Sequence, residues 1–179
     1  MNEFQDQGTT SMRDFLLQKP VVLMMVTQGD SSNFEYKWCN DGGANKSVSG
    51  NRADFTGNFR SVDIDVIVAK KGIVMKAVGM GDCDLHCVDN LGHPCVVTLK
   101  DVLYIPGATK NLISSACLGQ QGYQTVLPSS NPIFNAGLYL PQKPTKKTRF
   151  ILFETINNLF FLATRNDMTD EVPINMEQS

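Results

Sequence analysis

The chain lacks any long apolar run. Its longest, Val21 to Val26, is six residues and follows Pro20. A membrane-spanning helix needs about 20 apolar residues, and a secretory signal would need a small-residue cleavage site, which this run lacks. No membrane contact is therefore expected. Histidine is scarce, with two in 179 residues, which leaves little material for a Ser-His-Asp triad. A basic excess is missing too: 16 Lys and Arg stand against 18 Asp and Glu, for a net charge of −2. Nucleic-acid binders carry a clear positive footprint, so no direct nucleic-acid contact is expected. There is no phosphate loop of the G-x-x-x-x-G-K-[ST] kind, no G-x-S-x-G elbow and no H-E-x-x-H. Gly79-Met80-Gly81 is a lone G-x-G with no helix signal after it. No cofactor is expected.

What is present suits one domain with polar ends. The hydrophobic fraction of 42% supports a core of ordinary size. Residues 1–32 read as an N-terminal extension or linker, in which Val21–Val26 is short and apolar enough to join a sheet as a strand. Residues 33–165 read as the domain. Residues 166–179 are polar and acidic and read as a disordered tail. Within the body, Ser61 to Val68 alternates as a strand does. Further strands are expected at Phe34–Asn40, Ile73–Val78, Cys83–Val88, His93–Tyr104, Gly122–Leu127, Gly137–Leu140, Phe150–Phe153 and Leu159–Leu162. Thr109 to Gly119 is the best helix candidate, starting near Asn111. Many short strands with Gly and Pro punctuation argue for a small β-barrel or sandwich. The Lys-rich stretch Pro141 to Arg149 reads as a solvated loop.

The segment Trp38-Cys39-Asn40-Asp41-Gly42-Gly43-Ala44 places an aspartate at a strand-to-turn junction, ahead of two glycines. Taken alone, Asn-Asp-Gly-Gly is an ordinary turn sequence. Farther along come Gly50-Asn51-Arg52 with Phe55, then Asp101-Val102-Leu103-Tyr104-Ile105-Pro106-Gly107, then Lys110-Asn111-Leu112-Ile113-Ser114, then Gly122-Tyr123. In this order the segments resemble the protease-like domain of copia-type retrotransposon polyproteins. The resemblance implies an all-β fold, a retropepsin-like small closed β-barrel with one short helix. It implies an aspartic endopeptidase that works as a homodimer, with Asp41 as each subunit's catalytic carboxylate. Gly42, Gly43 and Ala44 would form the active-site loop. The flap would lie at about Val68 to Val78, with Lys70, Lys71 and Gly72 at or near its tip. The substrate would be the element's own Gag and Pol polyprotein. The setting would be intracellular and cytoplasmic, virus-like particles included.

Several positions depart from the family pattern. Gly42 stands where relatives carry Ser or Thr, so the hydroxyl that would bond across the dimer is missing. Asn40 puts a polar group on a strand that should be buried. Ser47 stands where many relatives have His, and Lys70 and Lys71 replace an A-D-G-type segment that continues from Ala69. These changes leave a second reading open: a catalytically inactive, protease-like module that dimerises or binds peptide strands by edge pairing.

The five cysteines are an odd number, which fits free thiols in a reducing compartment. Cys83, His86, Cys87, His93 and Cys95 fall close together and raise the question of zinc. A two-residue turn at Asn90-Leu91 would set His86 opposite Cys95 and split the ligands between two faces. A three-residue turn would set Cys87 opposite Cys95, with Cys83 and His93 on that face. Small half-buried thiols on a hairpin are the simpler reading, and no metal is expected. Cys39 and Cys117 read as core residues.

Overall fold

A computed structural model describes residues 21–22, 37–68, 73–127, 135–141, 149–156 and 158–164. The rest of the N-terminal extension, the expected flap tip at Lys70, Lys71 and Gly72, and the C-terminal tail lie outside the described residues. Among the described residues, eleven strands form one sheet. They are β1 (Val21–Val22), β2 (Trp38–Asp41), β3 (Val48–Ser49), β4 (Phe55–Val68), β5 (Val74–Val88), β6 (Pro94–Tyr104), β7 (Asn111–Ser114), β8 (Gln124–Val126), β9 (Gly137–Tyr139), β10 (Phe150–Ile156) and β11 (Leu159–Leu162). Among the described residues, a single 3-10 turn spans Arg52–Asp54 and one short helix, α1, spans Ser115–Gln120. The class is all-β with one short helix, as the sequence predicts.

The strand order is β1-β4-β5-β6-β3-β7-β2-β11-β10-β9-β8. The expected barrel takes the form of a strongly curled sheet, a half-barrel, whose ends are β1 and β8. The curl follows from the core. Neighbouring residues of a strand point to opposite faces, and the central strands bury both. On β2, Trp38 enters one apolar cluster with Phe55, Leu99, Ile113 and Leu162, while Cys39 enters a second with Val48, Leu103, Leu112 and Phe161. Leu112 and Ile113 on β7 divide in the same way, as do Phe161 and Leu162 on β11.

The longest ribbon is β4–β5, and it differs from expectation. β5 does not stop at Gly79-Met80-Gly81 but runs through it to Val88. The glycine is there for space: a Cβ on Gly79 would sit 2.3 Å from the ring of Phe59. Register shifts between Phe55 and Ile64 on β4 put extra residues into the ribbon, and Asn58 takes a left-handed φ of 52° within them. Such bulges bend and twist a sheet locally.

The helix also differs from expectation. Asn111–Ser114 is not its first turn but strand β7, all four residues buried. β7 pairs parallel with β2 along its length and antiparallel with β3 at Leu112. A short buried run carries no periodicity to separate helix from strand. The helix begins only after Ser114, whose hydroxyl accepts the Cys117 amide at 3.1 Å as its N-cap.

Candidate active-site loop

The aspartate loop is held by what lies under it. β2 runs parallel to β7 in the register Asn40↔Ile113 and Asp41↔Ser114, so Asp41 ends its strand beside the start of α1. The next residues turn away, and Gly42 and Gly43 are exposed while Ala44 is buried. Ser114 holds this turn. Its hydroxyl donates to the Ala44 carbonyl at 2.7 Å, and its amide donates to the Ser47 hydroxyl at 3.0 Å. Cys117 adds a contact from its half-buried thiol to the Asn45 carbonyl at 3.3 Å, so it serves the loop rather than the core.

Asp41 is asymmetric. Its Oδ1 accepts the Gly43 amide at 2.8 Å. Its Oδ2 is buried and has no hydrogen-bond partner among the described residues. Burial raises the carboxyl above the ordinary aspartate value, against the Gly43 and Ala44 amides that lower it. The neighbouring Cys39 thiol is pushed up to about 11 by burial and then by the Asp41 charge, with Lys110 pulling the other way. A buried carboxylate oxygen without a partner is costly, and among the described carboxylates Asp41 alone carries one.

Two of the departures, Asn40 and Ser47, have local explanations. Asn40 is half-buried and its side-chain oxygen accepts the Ser115 hydroxyl at 3.0 Å, so the polar group on the buried strand is satisfied. Ser47, in the place of a histidine, is 1% exposed and receives the Ser114 amide. A Cβ on Gly42 would meet nothing within 4 Å. Sequence reasoning picks out Asp41, Gly42, Gly43 and Ala44; it names Ser47 only as a departure and Ser114 only within a motif, and misses their hold on the loop. The signal for Ser114 was a serine three residues before Cys117, an N-cap spacing hidden by the helical reading of Asn111.

A second polar cluster joins two distant motifs. Asp54 accepts Ser49 Oγ at 2.6 Å, Asn111 Nδ2 at 2.8 Å and Asn51 Nδ2 at 3.2 Å. The Gly50 amide donates to Asn111 Oδ1 at 3.2 Å. Arg52 lies over the Phe59 ring, 3.6 Å from its centre. The Gly-Asn-Arg segment and the Asn111 segment thus form a brace between β3, the 3-10 turn and β7. They hold the scaffold.

At the β5–β6 turn, Cys87 stands opposite Cys95 and Val88 opposite Pro94, the register of the longer turn. Cys83, Cys87 and Cys95 share the inner face, whereas His86 and His93 are exposed. Among the described residues no three His, Cys, Asp or Glu side chains gather to hold a metal ion. A cavity of about 220 Å³ lies away from the aspartate loop, lined by Trp38, Ala53, Asp54, Thr56, Asp84, Leu85, His86 and Thr164.

A family described as the beta-barrel domain of the Pol polyprotein matches residues 38–123. The match begins at Trp38, covers the aspartate loop, the brace and α1, and ends at Tyr123. No curated protein and no solved structure matches the chain. The segment from Trp38 to Tyr123, which supplies strands β2 to β7 of the curled sheet, is similar to the beta-barrel domain of Pol polyproteins.

Proposed function

We propose that this domain is the aspartic endopeptidase lobe of its polyprotein and that it acts as a homodimer through paired Asp41 residues. The observation that carries the reading is Asp41 Oδ2, buried and without a partner among the described residues. A second copy would bring an identical carboxyl to it. Two carboxyls a few ångströms apart share one proton, because both cannot ionise easily. A carboxyl already raised by burial suits that arrangement, and the pair titrates as a unit.

The chemistry follows from the shared proton. The ionised carboxylate takes a proton from a trapped water, whose oxygen attacks the scissile carbonyl carbon. The protonated carboxyl donates to the carbonyl oxygen, giving a tetrahedral diol. Collapse breaks the C–N bond and returns a proton to the leaving amine. The Gly43 amide and the Ser114 clamp on Ala44 would hold each carboxyl in place, which catalysis needs. The substrate is an extended polypeptide, and the polyprotein that carries the domain is the natural one.

Gly42 favours a second reading, a dimerising or peptide-binding module without catalysis, because it supplies no hydroxyl to join the two loops. One experiment separates them. A diverse peptide mixture is incubated with the chain at mildly acidic and neutral pH, at matched high concentration beside Asp41→Asn. The peptidase reading expects cleavage that disappears in the variant. No cleavage by a folded, dimeric chain would sink it and leave the binding module. Equal cleavage by both chains would assign the activity to a contaminant and reject Asp41 as its source.

A further inference from the structure

Two cysteines face each other across the β5–β6 hairpin. Cys87 stands opposite Cys95, and both are thiols. Their separation follows from the ladder. The Asp89 amide donates to the His93 carbonyl at 3.0 Å, which makes those two a hydrogen-bonded pair. Antiparallel pairs alternate between bonded and non-bonded, so Cys87 and Cys95, two steps along, form a bonded pair with Cα atoms about 5.5 Å apart. A disulfide spans Cα separations of about 4.4–6.8 Å. The side chains converge as well. Cys87 is fully buried and Cys95 half-buried on the same inner face. Both bear on the Tyr123 hydroxyl, which burial first, then Cys95 and Cys87, hold above its ordinary value. The other cysteines are placed differently. Cys83 lies opposite Leu99, four residues from Cys87 and so about 13 Å along the strand. Cys39 sits in the other apolar cluster, and Cys117 contacts the Asn45 carbonyl.

We propose that Cys87 and Cys95 are a reversible redox pair, closed to a cross-strand disulfide by a low-molecular-weight disulfide of the glutathione kind. Cys95, the more accessible thiol, reacts first. Its thiolate attacks one sulfur of the oxidant, forms a mixed disulfide and expels one thiolate. The Cys87 sulfur then attacks the Cys95 sulfur and expels the second. Two protein thiols are oxidised, one small disulfide is reduced to two thiols, and the protons of Cys87 and Cys95 pass to those two thiols. The bond formed is labile. In a hydrogen-bonded pair the Cβ atoms stand about 5.5 Å apart, whereas a disulfide takes about 3.5–4.5 Å. Closure therefore draws the two strands together by about 1 Å, and strained disulfides are the readily reduced ones. The first step is slow at neutral pH, because only the thiolate attacks. Burial and then the Asp89 charge raise the Cys95 thiol, with Arg149 pulling the other way. The pair thus responds to a sustained oxidising shift, and it stands apart from the chemistry at Asp41.

The test equilibrates the full, folded chain with oxidised and reduced glutathione in graded ratios at mildly alkaline pH. The remaining thiols are then alkylated and the peptides mapped by mass spectrometry. The buried Trp38, the chain's one tryptophan, reports by near-ultraviolet dichroism that the domain is folded. The expected result is the loss of two alkylatable thiols per chain and one linked peptide joining Cys87 to Cys95, both reversed by excess reduced glutathione. Cys87→Ala should halt Cys95 at the glutathione mixed disulfide, and Cys95→Ser should leave Cys87 reduced. If Cys87→Ala loses the Trp38 signal, Cys95→Ser alone carries the comparison. A folded parent without the Cys87–Cys95 link at the most oxidising ratio would overturn the proposal. So would a parent whose Cys95 stops at the mixed disulfide, or one that links other cysteines instead. A link that excess reduced glutathione fails to open would overturn its reversibility.

Discussion

The hydroxyl of Ser114 donates a 2.7 Å hydrogen bond to the carbonyl of Ala44, across seventy residues of sequence. The same oxygen accepts the Cys117 amide that opens α1. One buried side chain thus fixes the turn after Asp41 and the start of the helix behind it. Ser114→Ala should cost about 2 kcal/mol, since it removes a helix cap and leaves the Ala44 carbonyl without its buried partner. Urea denaturation measures this, and a loss under about 0.5 kcal/mol, the ordinary range of a surface change, would mean that the clamp does not bear on stability.

Gly50 tests the brace from the backbone side. A Cβ there would lie 2.0 Å from the Ala108 carbonyl oxygen, closer than any real contact. The obstacle is backbone, so no side chain can swing away. Gly50→Ala should lower stability by about 3 kcal/mol, at the upper end of overpacking costs. A variant with an unchanged urea midpoint would show that β3 and the loop before β7 separate easily, contrary to their close approach at Gly50 and Ala108.

Asp89 should govern the acid limb of stability. It is 5% exposed, pairs with Arg149, and its Oδ1 accepts the Leu91 and His93 amides at 2.9 and 2.8 Å. Burial pulls its carboxyl up, but the His93 amide, Arg149 and the Leu91 amide together outweigh that and hold it at about 2, against an ordinary 3.8. A folded value below the unfolded one means that the unfolded chain binds the proton first. The stabilisation is therefore present above about pH 4 and is lost as pH falls toward 2. The thermal midpoint of Asp89→Asn should be lower than the parent's at neutral pH, with a smaller fall between pH 4 and 2. Parallel midpoint curves for parent and variant would contradict this.

Asp41 should have the opposite sign. Its folded value is raised by burial, so the native chain holds the proton longer than the unfolded chain. Stability is fully present below the ordinary value of 3.8 and declines as pH rises through the folded value. In the single chain, Asp41→Asn should be more stable than the parent at neutral pH, with the advantage gone at about pH 3. Denaturation at concentrations low enough to hold the chain monomeric measures it. A variant less stable at neutral pH would mean that the charge is welcome in its loop.

The position of Asp41 is legible in the sequence because an aspartate before two glycines, at the end of an apolar strand, fits one local geometry. Its supports are less legible. Asn40 looks like a polar misfit until Ser115 is placed beside it, and that contact spans a strand pairing no local pattern announces. Asn111 reads as a helix start because three buried residues followed by Ser-Ser-Ala fit either structure. The β5–β6 register depends on turn length, which Asn90-Leu91-Gly92 leaves open. The turn is held from within by Asp89, whose Oδ1 accepts the Leu91 and His93 amides, and from far away by Phe150: the Asn90 amide donates to the Phe150 carbonyl at 2.8 Å, and Asn90 Oδ1 accepts the Phe150 amide at 3.0 Å. Local chemistry names the loop, whereas long-range pairing decides its neighbours.

Gly42 is the position where restoring a side chain should help. The space for a Cβ is open in the single chain, and its φ is not among the left-handed glycines. Gly42→Thr should therefore stabilise the monomer by roughly 0.4–1 kcal/mol, by removing freedom from the unfolded chain. Under the homodimer reading it should do more. A threonine hydroxyl on each subunit can bond to the partner's loop, at about 1 kcal/mol per bond. Two such bonds correspond to roughly 30-fold tighter association, read by sedimentation or by dilution of a labelled chain. Peptide cleavage per subunit at a fixed low concentration should rise with it. A Gly42→Thr chain that folds but associates no better would show that the two loops do not meet through this position, and the glycine would then be a neutral replacement rather than a lesion.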